Sequence, residues 1–194
     1  MARAGLSTER VVAEAAVMAD EHGLHDLTLA ALASRLGVRQ PSLYKHIDGL
    51  NALRRLLALR AKAELADVLG AAAIGRARDE ALVAVADAFR GWAQEHPGLH
   101  EAVQRPASPG DDEDEAVSTR LVGVLAAVMS GYGLEDDDAV DAIRAFRSAV
   151  HGFVALEAAG GFGLPASTDR SFDRLIHAVA VALASWSTVT APGG

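Results

Sequence analysis

The chain has 194 residues, 51% of them apolar, enough to bury a real core and to form one or two domains. It holds no cysteine, which excludes disulfides and thiolate-bound metals and suits a reducing cytoplasm. The formal net charge of −8 is unevenly spread. Residues 1–62 carry nine Lys/Arg against six Asp/Glu, whereas residues 63–194 carry nine against twenty, so only the N-terminal part is suited to approach phosphate.

No apolar core follows a basic start, so no signal peptide is expected. The longest apolar stretches, Leu121–Met129 and Ala178–Trp186, fall well short of the ~20 residues that span a bilayer, so no membrane partner is expected. Helical spacing runs throughout, and no period-2 run of β-branched residues interrupts it. The predicted fold is all-α: a three-helix head with a helix-turn-helix, residues 1–49, followed by a larger helical domain, residues 50–194.

In chain order, a first helix opens at Ser7-Thr8 with Glu9 in its first turn; Val12, Ala15, Ala16 and Ala19 line its inner face and Gly23 ends it. Thr28 caps a second helix whose Leu29, Leu32, Ala33 and Leu36 face inward, and Gly37 stops it. Pro41 begins the first turn of a third helix, where its fixed φ helps and its missing N–H costs nothing. Leu43 and Ile47, four apart, anchor that helix. Asp48-Gly49 breaks the chain, and Asp48 caps a fourth helix, Leu50 to Leu69, bridging head and body.

Further helices are predicted at roughly 78–95, 113–132, 136–159 and 169–188 from the apolar spacing. The first of these ends at His96-Pro97-Gly98. Arg105 to Glu115 reads as a loop feeding a helix N-terminus, with the acidic run 111–115 solvated and opposing the positive end of the dipole. Gly160 to Pro165 reads as another loop, and Ala191–Gly194 as a frayed end. No internal repeat or low-complexity segment is present.

The segment Leu27 to Ala52 holds two short helical patterns joined by a Gly-containing turn, the mark of a helix-turn-helix. With Leu43 and Ile47 facing the platform, Gln40, Ser42, Tyr44, Lys45 and His46 point outward. A lone helix fits the DNA major groove, where base edges show a distinct donor and acceptor code. Gln40 can address an adenine edge; Pro41 and the Ser42 methylene suit a thymine methyl. Tyr44, His46 and Thr28 have the geometry for phosphate oxygens, Lys45 adds charge, and Arg39 reaches guanine or backbone. One head gives modest specificity, about 1–3 kcal/mol per good bidentate contact, so two heads are expected, hence a homodimer and a near-palindromic operator.

The string Leu36-Gly37-Val38-Arg39-Gln40-Pro41-Ser42-Leu43-Tyr44-Lys45-His46-Ile47 resembles the recognition-helix signature of the TetR family of transcriptional repressors. The likeness spans about Ser7 to Leu57. It implies an all-helical homodimer whose heads bind double-stranded operator DNA and whose C-terminal domain binds a small-molecule effector that releases it. The family's base and phosphate contacts fall on Gln40, Pro41, Ser42, Tyr44 and His46, with Thr28 as helix cap. The chain departs from the pattern at Leu50, where members commonly carry a phosphate-binding lysine. It also departs at Ala30, where the tetracycline repressor has a base-reading arginine, and Asp48 is unfavourable near DNA. The operator sequence is therefore expected to differ, and the salt dependence to be shallower.

In the body, Ile143, Phe146, Val150, Phe153 and Glu157 fall in one helical stripe, as do Phe172, Leu175, Ile176, Val179, Leu183 and Trp186 on the last helix, beside the small Ala180 and Ala184. These stripes suit either plain core packing or a four-helix dimer interface, expected at Phe172, Leu175, Ile176, Val179, Ala180, Leu183, Ala184 and Trp186. The string His151 to Glu157, with Gly160-Gly161-Phe162, resembles a C-terminal domain of one branch of TetR-like regulators. A pocket for a hydrophobic or aromatic effector is expected among Phe89, Trp92, Leu99, His100, Leu125, Met129, Phe146, Val150 and Phe153, each of which also suits the core.

Two other functions stay open. One is an enzyme: His96 and His100 have a metal-ligand spacing, although Pro97 and Gly98 stand between them and no phosphate loop, nucleophile elbow or zinc-protease motif appears. The other is a non-specific DNA protein without an effector, whose binding would ignore sequence and fall steeply with salt. The acidic balance and the long second domain weigh against it. No cofactor, metal or catalytic residue is expected.

Overall fold

The computed structural model describes residues 6–186. Among these, helices joined by turns and short irregular segments make the structure and no strand occurs. The helices are α1 (Thr8–His22), α2 (Leu29–Leu36), α3 (Leu50–Ala73), α4 (Arg78–Glu95), α5 (Pro97–Val103), α6 (Asp112–Ser130), α7 (Asp136–Ala158) and α8 (Thr168–Ala184). A 3-10 helix, Gln40–Lys45, stands between α2 and α3. None of these helices is long and apolar enough to cross a membrane.

The described residues form two compact units. The first comprises the chain up to Glu64 together with Glu95–Ser118; the second comprises Leu65–Gln94 and the chain from Thr119 onward.

In the first unit, α1 begins where Ser7 Oγ accepts from Arg10 N, and ends at Gly23, whose φ of 87° favours glycine. It buries Val11, Val12, Ala15, Ala16, Met18 and Ala19. Leu29, Leu32 and Ala33 of α2 are also buried, with Leu27, Leu43 and Ile47 beyond its two ends. Arg35 of α2 holds Glu14 and Glu21 of α1, which raises the guanidinium pKa and lowers that of Glu21.

Two features of this unit correct the sequence reading. His96-Pro97-Gly98 ends α4 as expected, but it also starts α5, a seven-residue helix with Pro97 in its first turn. The cap comes from α1: Asp20 Oδ1 accepts from Gly98 N at 2.9 Å and Leu99 N at 3.1 Å, while Oδ2 lies 3.0 Å from His96 Nδ1. These bonds satisfy amides that a helix start leaves unpaired. At Gly98 the two helices meet backbone to backbone: a Cβ there would stand 2.2 Å from the Ala19 carbonyl carbon.

The acidic run 111–115 is not uniformly solvated. α6 opens inside it, and Asp114 is fully buried against the buried Lys62 of α3, Nζ to Oδ1 at 2.5 Å. Ser118 Oγ and Arg105 complete the cluster. Arg55 of α3 takes Asp111 and Glu113, and holds the Asp111 carboxyl down at about 2. A surface run would gain only the interaction with the helix dipole; here three of its members are ion-paired to α3.

Other boundaries differ modestly. α3 continues to Ala73, four residues past the expected Leu69. α8 stops at Ala184, where Ser185 Oγ bonds back to the Val181 and Ala182 carbonyls and closes the last turn; the expected end at 188 lies outside the described residues. The expected fraying of 191–194 lies outside them as well.

In the second unit, Leu82, Val85, Phe89 and Trp92 of α4, Ile143, Phe146, Val150 and Val154 of α7, and Phe172, Ile176, Ala180 and Leu183 of α8 are buried. Arg90 joins three elements: it makes two hydrogen bonds to Glu157 of α7, a third to Asp169 of α8, and its guanidinium stacks over the Phe172 ring at 4.9 Å. Glu157, which the apolar stripe of α7 ended on, is thereby held ionised, its pKa lowered chiefly by Arg90.

Gly98→Ala is expected to destabilise the protein by about 3 kcal/mol or more, because backbone atoms cannot yield as side chains do; urea denaturation measures it. Lys62→Met alone should cost about 3–5 kcal/mol by removing the close cation from the buried Asp114, which keeps only the longer Arg105 contact and Ser118, and adding Asp114→Leu should recover most of that loss. A double mutant no more stable than the single would remove the pair from the account.

Candidate nucleic-acid interface

The segment between Gly37 and Gly49 is built by a stop, a tight turn and an anchor. Gly37 takes the left-handed conformation, φ 67°, so that its own N–H reaches the Ser34 carbonyl and Val38 N reaches that of Ala33. This ends α2 and turns the chain. Thr28 caps the other end, Oγ1 accepting from Ala31 N at 3.2 Å.

The third helix is shorter and tighter than the α-helix expected from the sequence. Ser42 N bonds the Arg39 carbonyl and His46 N that of Leu43, the i to i+3 pattern of a 3-10 helix. A six-residue α-helix would leave nearly all its backbone groups unpaired, so closing each turn with fewer residues satisfies more of them. Side chains three apart then line up in rows. The row Gln40, Leu43, His46 turns inward at its middle, since Leu43 is fully buried. The rows Pro41–Tyr44 and Ser42–Lys45 face outward: Pro41, Tyr44 and Lys45 are exposed and Ser42 is half-buried. Ile47, buried, closes the anchor with Ile47 N bonding the Leu43 carbonyl at 3.0 Å. From α1, Thr8 Oγ1 donates to the His46 carbonyl at 3.1 Å.

The sequence-predicted contacts therefore lie together on one turn. Arg39, Gln40, Pro41, Tyr44 and Lys45 are exposed, Ser42 and His46 half-buried, and Thr28 exposed at the start of α2. Tyr44 leaves 53% of its surface to solvent although it is aromatic. Such a ring, beside cationic Arg39 and Lys45 and two amide or hydroxyl side chains, offers donors to phosphate oxygens and base edges and no carboxylate to repel them. Asp48, just beyond, is exposed.

The residues expected for an effector divide between the two units. Leu99, buried, and His100, half-buried with its pKa lowered by burial, belong to the first unit. Phe89, Trp92, Leu125, Met129, Phe146 and Val150, all buried, and the half-buried Phe153 belong to the second. There Phe89 meets His151 edge-on at 4.5 Å, and Phe153 contacts Phe162 and Phe172. A cavity of about 180 Å³ in the same unit is lined by Ala73, Arg76, Arg78, Val128 and Gly131 among others, and by none of the expected residues.

Of the expected dimer residues, Phe172, Ile176, Ala180 and Leu183 serve the protomer's own core, whereas Leu175, Val179 and Trp186 are half-buried and Ala184 is exposed. His96 lies 3.0 Å from Asp20 Oδ2, and among the described residues no group of three or more His or carboxylate side chains could hold a metal ion. Sequence reasoning passed over Arg54, whose Nε is buried without a hydrogen-bond partner. Only the mismatch between a charged residue and its half-buried helix position signalled it.

Comparison with known proteins gives consistent results. Residues 11–49 match the bacterial regulatory proteins of the tetR family, and residues 82–179 match the tetracyclin repressor-like C-terminal domain. The chain is 41% identical over 158 residues to the uncharacterized HTH-type transcriptional regulator Rv0681 of Mycobacterium tuberculosis, covering 81% of this chain and 72% of that protein. It is 37% identical over 162 residues to the uncharacterized HTH-type regulator YobS of Bacillus subtilis, covering 82% and 83%. Among solved structures, apo ActR from Streptomyces coelicolor superposes with a TM-score of 0.72 at 20% identity, covering 98% of this chain and 100% of that one. A TetR variant from Acinetobacter baumannii AYE, in complex with minocycline, superposes with a TM-score of 0.70 at 24% identity, covering 96% and 100%. These two likenesses show the fold.

Leu43→Ala is expected to cost about 2–5 kcal/mol, as for a large buried apolar side chain, and to loosen the turn it anchors. Thermal melting together with amide exchange at residues 39–47 measures this; unchanged protection there would show that the turn holds without its anchor.

Proposed function

The chain belongs to the tetR family of bacterial regulatory proteins and is a transcriptional regulator of that type; from this premise we propose that it is a repressor released from DNA by a small molecule. In this reading residues 1–49 bind DNA, residues 50–194 bind the effector and dimerise, and a homodimer presents two heads to a near-palindromic operator. The protein acts in the cytoplasm and catalyses no reaction.

The observation that carries the reading is the outward-facing turn Gln40–Lys45 pinned by the buried Leu43. Gln40 reads an adenine edge, Pro41 and Ser42 meet a thymine methyl, and Tyr44, Lys45, His46 and Thr28 hold the backbone, with Arg39 at guanine or phosphate. The acidic balance of residues 63–194 supports it by favouring approach through the basic end. The half-buried Leu175 and Val179 on α8, with the half-buried Trp186 just past its end, support a second copy packing there. The aromatic and Met-containing apolar residues of the body support an effector with a hydrophobic or aromatic body. Its binding would favour a head spacing that no longer fits successive major grooves, about 34–36 Å apart. Coupling of about 1–3 kcal/mol is typical of such switches.

Fluorescence anisotropy on the promoter beside the protein's own gene, against a scrambled duplex, tests the reading; equal affinities would reject it. Gln40→Ala should relax preference at one base pair by about 1–3 kcal/mol, whereas Tyr44→Phe should weaken all duplexes alike. Sedimentation at micromolar concentration should show a dimer, and a strictly monomeric protein would refute the two-headed arrangement.

A further inference from the structure

The cavity of about 180 Å³ in the second unit combines two kinds of wall. Ala77, Ala81, Ala127 and Val128 give it small apolar surface, and Arg76 and Arg78 give it charge. Its volume is below the range of about 300–1,000 Å³ that suits drug-sized ligands, so an occupant must be small.

The two arginines have no counter-ion. Arg90, Arg120 and Arg144 of the same unit pair with carboxylates. Among the described residues Arg76 and Arg78 make no such pair: Arg76 Nη1 donates to the Ala72 carbonyl at 2.7 Å, and Arg78 Nη1 to that of Gly131 at 3.4 Å. The Arg78 guanidinium also lies over the Tyr132 ring, 5.1 Å from its centre. Asp79, the adjacent acid, accepts from the Tyr132 hydroxyl at 2.7 Å instead. Two cations two residues apart repel one another, and an anion shared between them removes that cost.

The backbone around the cavity agrees with this. Arg78 has a φ of 50°, a left-handed conformation that a residue with a side chain holds only when its surroundings impose it. α3 ends at Ala73 and α6 at Ser130, and the carbonyls of a helix end disfavour an anion. Here they are already engaged: the Ala73 carbonyl accepts from Arg76 N at 3.1 Å and that of Val128 from Gly131 N at 3.2 Å.

We propose that this cavity binds a small organic acid, its carboxylate held by Arg76 and Arg78 and its short apolar chain lying on Ala77, Ala81, Ala127 and Val128. The carboxylate replaces the long Arg78–Gly131 contact with a shorter, charge-assisted one. The site is separate from the aromatic and Met-containing residues expected to meet an effector, and the inference does not depend on that reading.

The test titrates the full chain, its alanine methyls labelled with carbon-13, with butyrate. The methyl signals of Ala77, Ala81 and Ala127 should shift and saturate with a dissociation constant of about 1 mM, as suits so small a ligand. Butanol should leave them unmoved, and inorganic phosphate, which has charge but no apolar chain, should bind at least about tenfold more weakly. Arg76→Met and Arg78→Met should each weaken butyrate about tenfold. Ala127→Leu, at an exposed position, keeps both arginines but fills the apolar wall, and should abolish the shifts at Ala77 and Ala81. Absence of saturable shifts in the wild-type protein would overturn the proposal, as would an equal response to butanol. Phosphate binding as tightly as butyrate would overturn the assignment to an organic acid. Undiminished butyrate binding in either arginine variant would refute the role of the pair; should Arg78→Met not fold, Arg76→Met and Ala127→Leu decide.

Discussion

The interface depends on the burial of one leucine. In a six-residue helix with three residues per turn, a single inward side chain decides where the other rows point. Leu43 is that side chain: it has no exposed surface, and the chain closes behind it through Ile47. Pro41, Tyr44 and Lys45 are outward because Leu43 is inward, and Gln40, at the open start of Leu43's own row, is exposed. Their chemistry would mean little on a free loop, where each would sample many directions at a cost in ordering entropy. The turn is itself placed by α1 and α2, through the Thr8 contact at His46 and the left-handed stop at Gly37.

A second constraint is electrostatic and less visible. The four acidic residues opening α6 suit the positive end of a helix dipole, and a helix start would favour them for that reason alone. Asp114 does more, because it lies fully buried against Lys62. Burying an ion pair gives little net stability, but breaking one is expensive, so such a pair selects one register of two helices over its alternatives. With Arg55 drawn to Asp111 and Glu113, α3 is held to α6 and the residue before it at two points seven residues apart.

What could be read in the sequence follows from how far apart the interacting residues lie. Thr28 as a cap, Gly23 and Gly37 as stops, and Leu43 with Ile47 as anchor are local signals, and each stands in the structure as read. The family resemblance added the identity of the head. α5 was not legible, because its cap is Asp20, 78 residues before Gly98, and Pro97-Gly98 on its own looks like a break. Nor was the fate of Asp114, whose partner Lys62 lies 52 residues away. The third helix was legible as a helix but not as a 3-10 one, since six residues do not carry enough periodicity to separate 3.0 from 3.6 residues per turn.

The meeting of α1 and α5 at Gly98 has a mechanical consequence. Ordinary helix contacts are cushioned by side chains that change rotamer, so small slips of one helix are absorbed before the next one feels them. Between Ala19 and Gly98 no such padding exists, and Asp20 ties the same spot with hydrogen bonds to two consecutive amides. The joint is stiff in both compression and shear. A displacement of α5 must therefore drag α1 along, and with α1 goes Thr8, whose hydroxyl grips the chain at His46.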